Sequence, residues 1–152
     1  MTTTFQSREA VRDELVTLFT NNGSWQEVYG YAPDLNEIIG KTPVLMVRSR
    51  GTAQDMAGDE TNPASYQFAI TTWVLAYSED GNWTSANAED KIDELDKVVR
   101  QVIRNNAGGG SNADQYRFDP AQSEVRDVIL QGGVPYMVES RLIYADLPRG
   151  AV

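Results

Sequence analysis

Tyr66-Gln-Phe-Ala-Ile-Thr-Thr-Trp-Val-Leu-Ala-Tyr77 is followed by Ser78-Glu-Asp-Gly-Asn-Trp-Thr-Ser85 and then by Ala86-Asn-Ala-Glu-Asp-Lys-Ile-Asp-Glu-Leu-Asp-Lys-Val-Val-Arg-Gln-Val-Ile-Arg104. These three pieces read as a strand, a turn and a long helix. In the strand, Tyr66, Phe68, Ile70 and Val74 alternate onto one face, and Ala69, Trp73, Leu75 and Tyr77 onto the other. A strand wetted on one side shows cleaner polar alternation, so the pattern predicts a central strand whose second face is covered by a helix or a neighbouring subunit. In the helix, Ala88, Ile92, Leu95, Val98, Val99, Val102 and Ile103 recur at steps of three and four and form one apolar stripe. Thr84 or Ser85 caps its first turn, where Glu89 and Asp90 suit the positive end of the helix dipole. Arg100 and Arg104 suit the other end, and Asp93–Lys97 and Asp96–Arg100 are spaced as favourable pairs. Such a helix is roughly 30 Å long and needs a sheet to lie on.

Outward from this unit, Ser7 reads as the cap of an N-terminal helix that turns Val11, Leu15, Leu18 and Phe19 inward and stops near Gly23. Trp25–Tyr31 is a short aromatic strand, Leu35–Ile39 a short helical or irregular piece, and Pro43–Arg50 a clearer strand. Residues 51–65 lack periodicity and read as a long loop of the kind that is usually functional or disordered. A second loop is read over 107–122, beginning in the Gly-rich run after the long helix. Glu124–Gln131 and Val134–Asp146 flank Gly132-Gly133, the signature of a β-hairpin turn. Residues 147–152 form a short tail. The expectation is a single α+β domain: a mostly antiparallel sheet of four or five strands, packed with an N-terminal helix and one long crossover helix.

Composition narrows the function. The 22 acidic residues against 13 basic give a formal charge of −9, which argues against a surface built to neutralise phosphates. An acidic wall does suit a passage through which DNA slides without being held. No apolar run is long enough to span a bilayer. Met1–Ser7 has neither basic flank nor apolar segment, so no secretory signal is expected and synthesis is placed in the cytoplasm.

The absence of histidine and cysteine removes the usual general base, the usual zinc ligands, thiolate chemistry and disulfides. Gly108-Gly-Gly-Ser111 lacks the Lys-Ser/Thr of a phosphate-binding loop, and Asp55, Asp59 and Glu60 lack the ligand spacing of a calcium loop. Asn22 and Asn82 open glycosylation-type triplets that have no meaning without secretion. Paired carboxylates for glycoside chemistry need only proximity, but in so acidic a chain solvated surface explains them better. No catalytic constellation, metal or cofactor is expected. Trp73, Tyr77 and Trp83 surround the strand-to-helix turn and read either as core or as a subunit interface, where large amphipathic rings are enriched.

The strand Phe68–Tyr77, the segment Trp83–Asp96 and the closing Gly133-Val-Pro-Tyr-Met-Val-Glu-Ser-Arg-Leu-Ile-Tyr144 together resemble the tail terminator and minor tail proteins of long-tailed bacteriophages. The resemblance extends over about residues 7–147 and rests on patterns of apolar and small residues. It implies a structural virion protein at the head–tail junction. Such a protein forms a hexameric ring on the end of the tail tube, stops tube polymerisation and presents the surface that joins the head-completion proteins. Its partners are further copies of itself, the tail tube protein and a connector, with DNA passing through unbound. Under this reading Trp73, Tyr77 and Trp83 are interface candidates. Asp55, Met56, Asp59 and Glu60 in one loop, and Tyr116, Arg117 and Phe118 in the other, are candidates for docking arms that order on contact. A head–tail connector or a tube-forming tail protein shares the same pattern. From a different class, a small acidic enzyme or ligand-binding domain needs a pocket with convergent polar groups.

Overall fold

The computed structural model describes residues 7–38, 40–53, 65–110, 112–119 and 125–147. Helix α1 (Arg8–Asn22) begins where the Ser7 hydroxyl accepts the Ala10 N–H, and ends at Gly23, whose φ of +77° lets its N–H return to the Thr20 carbonyl. Strand β1 (Glu27–Tyr29) leads through the one-turn helix α2 (Leu35–Ile38) into β2 (Val44–Ala53). Strand β3 (Ser65–Leu75) is followed by α3 (Ser85–Asn105), opened by a reciprocal cap. The Thr84 hydroxyl accepts the Asn87 N–H while the Asn87 side chain accepts the Thr84 N–H. Strands β4 (Gln115–Phe118), β5 (Val125–Gln131) and β6 (Val134–Asp146) complete the chain.

The six strands form one curled, mixed sheet in the order β1-β2-β3-β6-β4, with β5 also on β6. The pairings β2–β3, β3–β6, β4–β6 and β5–β6 are antiparallel, whereas β1 joins β2 in parallel because the chain crosses over through α2 before returning. Strand β6 is long enough to serve two partners on one edge. β5 pairs with residues 134–140 and β4 with residues 143–146.

The α+β class holds, and the sheet is richer than expected. The stretch read as loop over 107–122 contains β4, which is too short to show a period by itself and is defined by its partner β6. Gly51, read as the start of a loop, lies within β2, where the register with β3 shifts between Ser49 and Gly51.

One face of the sheet carries both long helices. Val11, Leu15 and Phe19 of α1 and Ala88, Ile92, Leu95, Val99, Val102 and Ile103 of α3 close over Leu45, Val47, Phe68, Ile70, Val74, Met137 and Ile143. Burying each Leu or Ile of this set contributes roughly 1.5–3 kcal/mol, so this face is the main source of stability. A smaller cluster of Ile38, Val44, Met46 and Tyr136 lies on the opposite face. No helix among the described residues is long and apolar enough to cross a membrane.

Candidate functional site

The second face of the sheet is built by the odd positions of β3 and the even positions of β6. The register places Val44 beside Trp73, and Trp73 beside Val138. Ala69, Thr71, Trp73 and Leu75, with Val138, Ser140, Leu142 and Tyr144, are all half-buried, whereas their alternates on the helix-covered face are mostly buried. Trp73 meets the Tyr136 ring edge-on, with centroids 5.5 Å apart. Its indole N–H is buried and finds no acceptor among the described residues. A polar atom left unpaired at the margin of an apolar face carries a desolvation cost, which an incoming acceptor or water relieves.

Trp83 belongs to the other side. Its indole N–H donates to the Leu75 carbonyl at 2.6 Å, and its ring packs on the main core. The turn that carries it is tied locally. The Ser78 N–H donates to the Trp83 carbonyl, and Asp80 accepts from the Ser78 hydroxyl and the Asn82 N–H. The Ser78 hydroxyl, followed by that N–H, holds the Asp80 carboxyl below its ordinary range. Tyr77, just past β3, is 47% exposed. The three aromatics are therefore close in sequence but divided in space: Trp73 on the second face, Trp83 at the edge of the main core, and Tyr77 in solvent. Trp83 is carried to the helix-covered side by the turn that follows β3, and Tyr77 lies past the end of the strand, where no neighbour covers it among the described residues.

Tyr116, Arg117 and Phe118 form most of β4 and not a loop. Tyr116 is 1% exposed, and its hydroxyl donates to Glu14 of α1 at 2.5 Å. Burial, and then this hydrogen bond, push its pKa well above the ordinary tyrosine value. Arg117 donates to Asp146 at 2.8 Å and lies over the Tyr144 ring. Phe118 receives the Arg141 guanidinium over its face, 5.1 Å from the ring centre. Asp55, Met56, Asp59 and Glu60 lie outside the described residues.

Sequence reading missed two features that packing brings together. The first is a cleft of about 480 Å³ between the end of α3 and β4, where Ile103, Tyr116 and Phe118 meet Arg100, Arg104 and Arg141, while the Arg117 head group turns to Tyr144 on the other face. These arginines come from α3 and β6, so nothing in their spacing announces the cluster. The second is Glu139, on the core-facing register of β6 yet ionisable and only 5% exposed. Its place among inward-pointing residues was the signal that could have found it. Arg126 of β5 meets it and also reaches Glu89 and Asp93 of α3.

No family model matches this chain, and no curated protein matches it in sequence.

Proposed function

We propose that this chain is a ring-forming structural protein of a long-tailed phage, acting as a terminator at the head-proximal end of the tail tube. The observation that carries the reading is the second sheet face. The helix-covered face already supplies a complete core, yet the opposite face presents Trp73, Leu75, Val138 and Leu142 half-buried and apolar. A face of this kind suits burial against another subunit.

The mechanism is geometric. Copies meet through heterologous contacts, and a rotation that closes gives a ring where one that does not gives an open filament. The closed ring seats on the last ring of tube protein, blocks further addition and offers its other surface to the head-completion protein. A net charge of −9 keeps the lumen from holding DNA as it passes.

Light scattering with negative-stain images of the same fractions tests this. Closed rings that shorten tubes when mixed with polymerising tube protein are the expected result. Open-ended tubes of the pure protein point to a tube-forming protein instead. Absence of any effect on tube polymerisation overturns the terminator reading.

A further inference from the structure

We infer that the outer edge of β5 pairs with β5 of a second copy of this chain, antiparallel and centred on Ile129, so that two sheets join across a two-fold axis. The inference does not rest on the ring reading. Among the described residues β5 pairs with β6 alone, on the side of β6 away from β3. A free strand edge presents a row of unmet N–H and C=O groups, and proteins blunt such edges with shortness, proline, a bulge or charge. The other outer strands are short: β1 has three residues and β4 four. Strand β5 has none of these protections. It runs seven residues, Val125-Arg-Asp-Val-Ile-Leu-Gln131, without proline, and its register on β6 is unbroken. Its two charges stand side by side near its start, and Arg126 is drawn back to Glu89, Asp93 and Glu139. Val128, 51% exposed, and Leu130, 71% exposed, project on the helix side of the sheet, where α3 leaves them uncovered.

The strand is complementary to itself. Gly132-Gly133 is a two-residue turn, so Gln131 and Val134 exchange both their hydrogen bonds, and Arg126, Val128 and Leu130 direct their N–H and C=O groups away from β6. Residues opposed in an antiparallel pair lie on the same side of the sheet, which restricts β5 against its own copy to a few registers. Centring on Asp127 opposes two like carboxylates, which is destabilising. Centring on Val128 opposes Leu130 to Arg126, whose guanidinium is already held by three carboxylates. Centring on Ile129 opposes Val128 to Leu130 twice on one side. On the other side it sets Ile129 against its copy and Asp127 against Gln131. This register pairs the exposed apolar side chains with one another, opposes no like charges and meets the outward backbone groups of Val128 and Leu130. An apolar partner strand of matching pattern is what the edge requires, and the second copy carries one.

The symmetry sets the kind of assembly. A two-fold contact satisfies two copies and stops. Copies with no other contact form a dimer, and copies already closed into rings through another surface join two rings into one double ring.

The test uses the full chain. Because it has no cysteine, single introduced cysteines report the register. Ile129→Cys sets two thiols directly opposite, with Cβ atoms about 4.5–5.5 Å apart, whereas Val128→Cys sets them on a diagonal of about 7–8 Å. Under a mild oxidant Ile129→Cys is expected to give a disulfide-linked dimer about tenfold faster, since a disulfide needs Cβ atoms close together. Light scattering over a concentration series then compares the wild type with Leu130→Lys, a change at an exposed position. Circular dichroism and thermal melts establish that every variant is folded. Leu130→Lys is expected to halve the mass, from dimer to monomer or from double ring to single ring. A wild type that stays monomeric overturns the inference, leaving the terminator reading to its own tube test. Assemblies whose mass Leu130→Lys leaves unchanged overturn it while the ring stands. Crosslinking at equal rates through both cysteines, or faster through Val128→Cys, overturns the pairing centred on Ile129.

Discussion

Arg126 and Glu139 stand directly opposite one another in the β5–β6 ladder, and the guanidinium donates to the carboxylate at 3.0 Å. Glu139 is on the covered face, where burial raises its pKa and Arg126 only partly opposes the rise. Burial acts against the charge on Arg126 too, but hydrogen bonds to Asp93, Glu139 and Glu89 outweigh it and raise its pKa. One guanidinium thus fastens the hairpin to α3.

Replacing Arg126 by Met is expected to cost about 1–3 kcal/mol at pH 7, because Glu139 is left buried without its cation. The pH dependence has a definite sign. The folded pKa of Glu139 lies above its ordinary value of 4.5, so its contribution favours folding below that value and is lost as pH rises through the folded pKa. Without Arg126 the folded pKa moves further up. The deficit measured by urea unfolding should therefore be larger at pH 7 than at pH 4. Equal deficits at both would mean that Glu139 is not the group responsible, and Glu139→Gln in the same background should recover most of the loss at pH 7.

The Tyr116–Glu14 bond joins β4 to α1, and Glu14 also accepts the Asn112 N–H at 3.0 Å. Tyr116→Phe keeps the packing and removes the donor, for a loss of about 1–2 kcal/mol. Combined with Glu14→Met, which removes the acceptor, a double-mutant cycle should return a coupling of about 1 kcal/mol. Strict additivity would show that the bond contributes nothing to stability.

Gly109 holds φ at +85°, and a methyl group there would stand 2.2 Å from the Ala113 carbonyl oxygen, in the turn closed by the Gly110 N–H on that carbonyl. Gly109→Ala is expected to lower stability by about 2 kcal/mol or more. Gly108 has open space around it, and Gly108→Ala should stay within about 0.5 kcal/mol of wild type. Thermal melts of the pair decide whether this Gly-rich run is a built turn or a slack connection, since a slack one tolerates both changes alike.

The two tryptophans should separate by phenotype. Trp83→Ala removes core packing and the bond to the Leu75 carbonyl, for a loss of about 2–3 kcal/mol in the monomer. Trp73→Ser touches the second face and is expected to reduce assembled mass more than monomer stability. Unfolding and light scattering on both variants check this. A Trp73 variant that unfolds while its remaining fraction assembles normally would return Trp73 to a purely internal role.

Much of the fold was legible in particular residues. The α3 stripe from Ala88 to Ile103, the Ser7 and Gly23 boundaries of α1, and the Gly132-Gly133 hairpin are all present. Each depends on periodicity, capping or turn chemistry acting within a few residues, and such signals need no partner to be read. Strand β4 was not legible, because four residues carry too little pattern and β6 supplies their hydrogen bonds. The parallel β1 was hidden for a related reason: chain direction follows from the crossover through α2.

By itself, then, the sequence determined the two long helices and the longer strands, which side of each helix is apolar, and that the chain is strongly acidic without histidine or cysteine. Only the tertiary structure decided that Trp73 and Trp83 lie on opposite sides of the sheet and that Arg126 meets Glu139. It also gathered Arg100 and Arg104 of α3 and Arg141 of β6 around one cleft. Secondary structure follows from the spacing of neighbours along the chain. A site follows from which distant residues the sheet register and helix packing bring within a few ångströms, and that is fixed only when the fold closes.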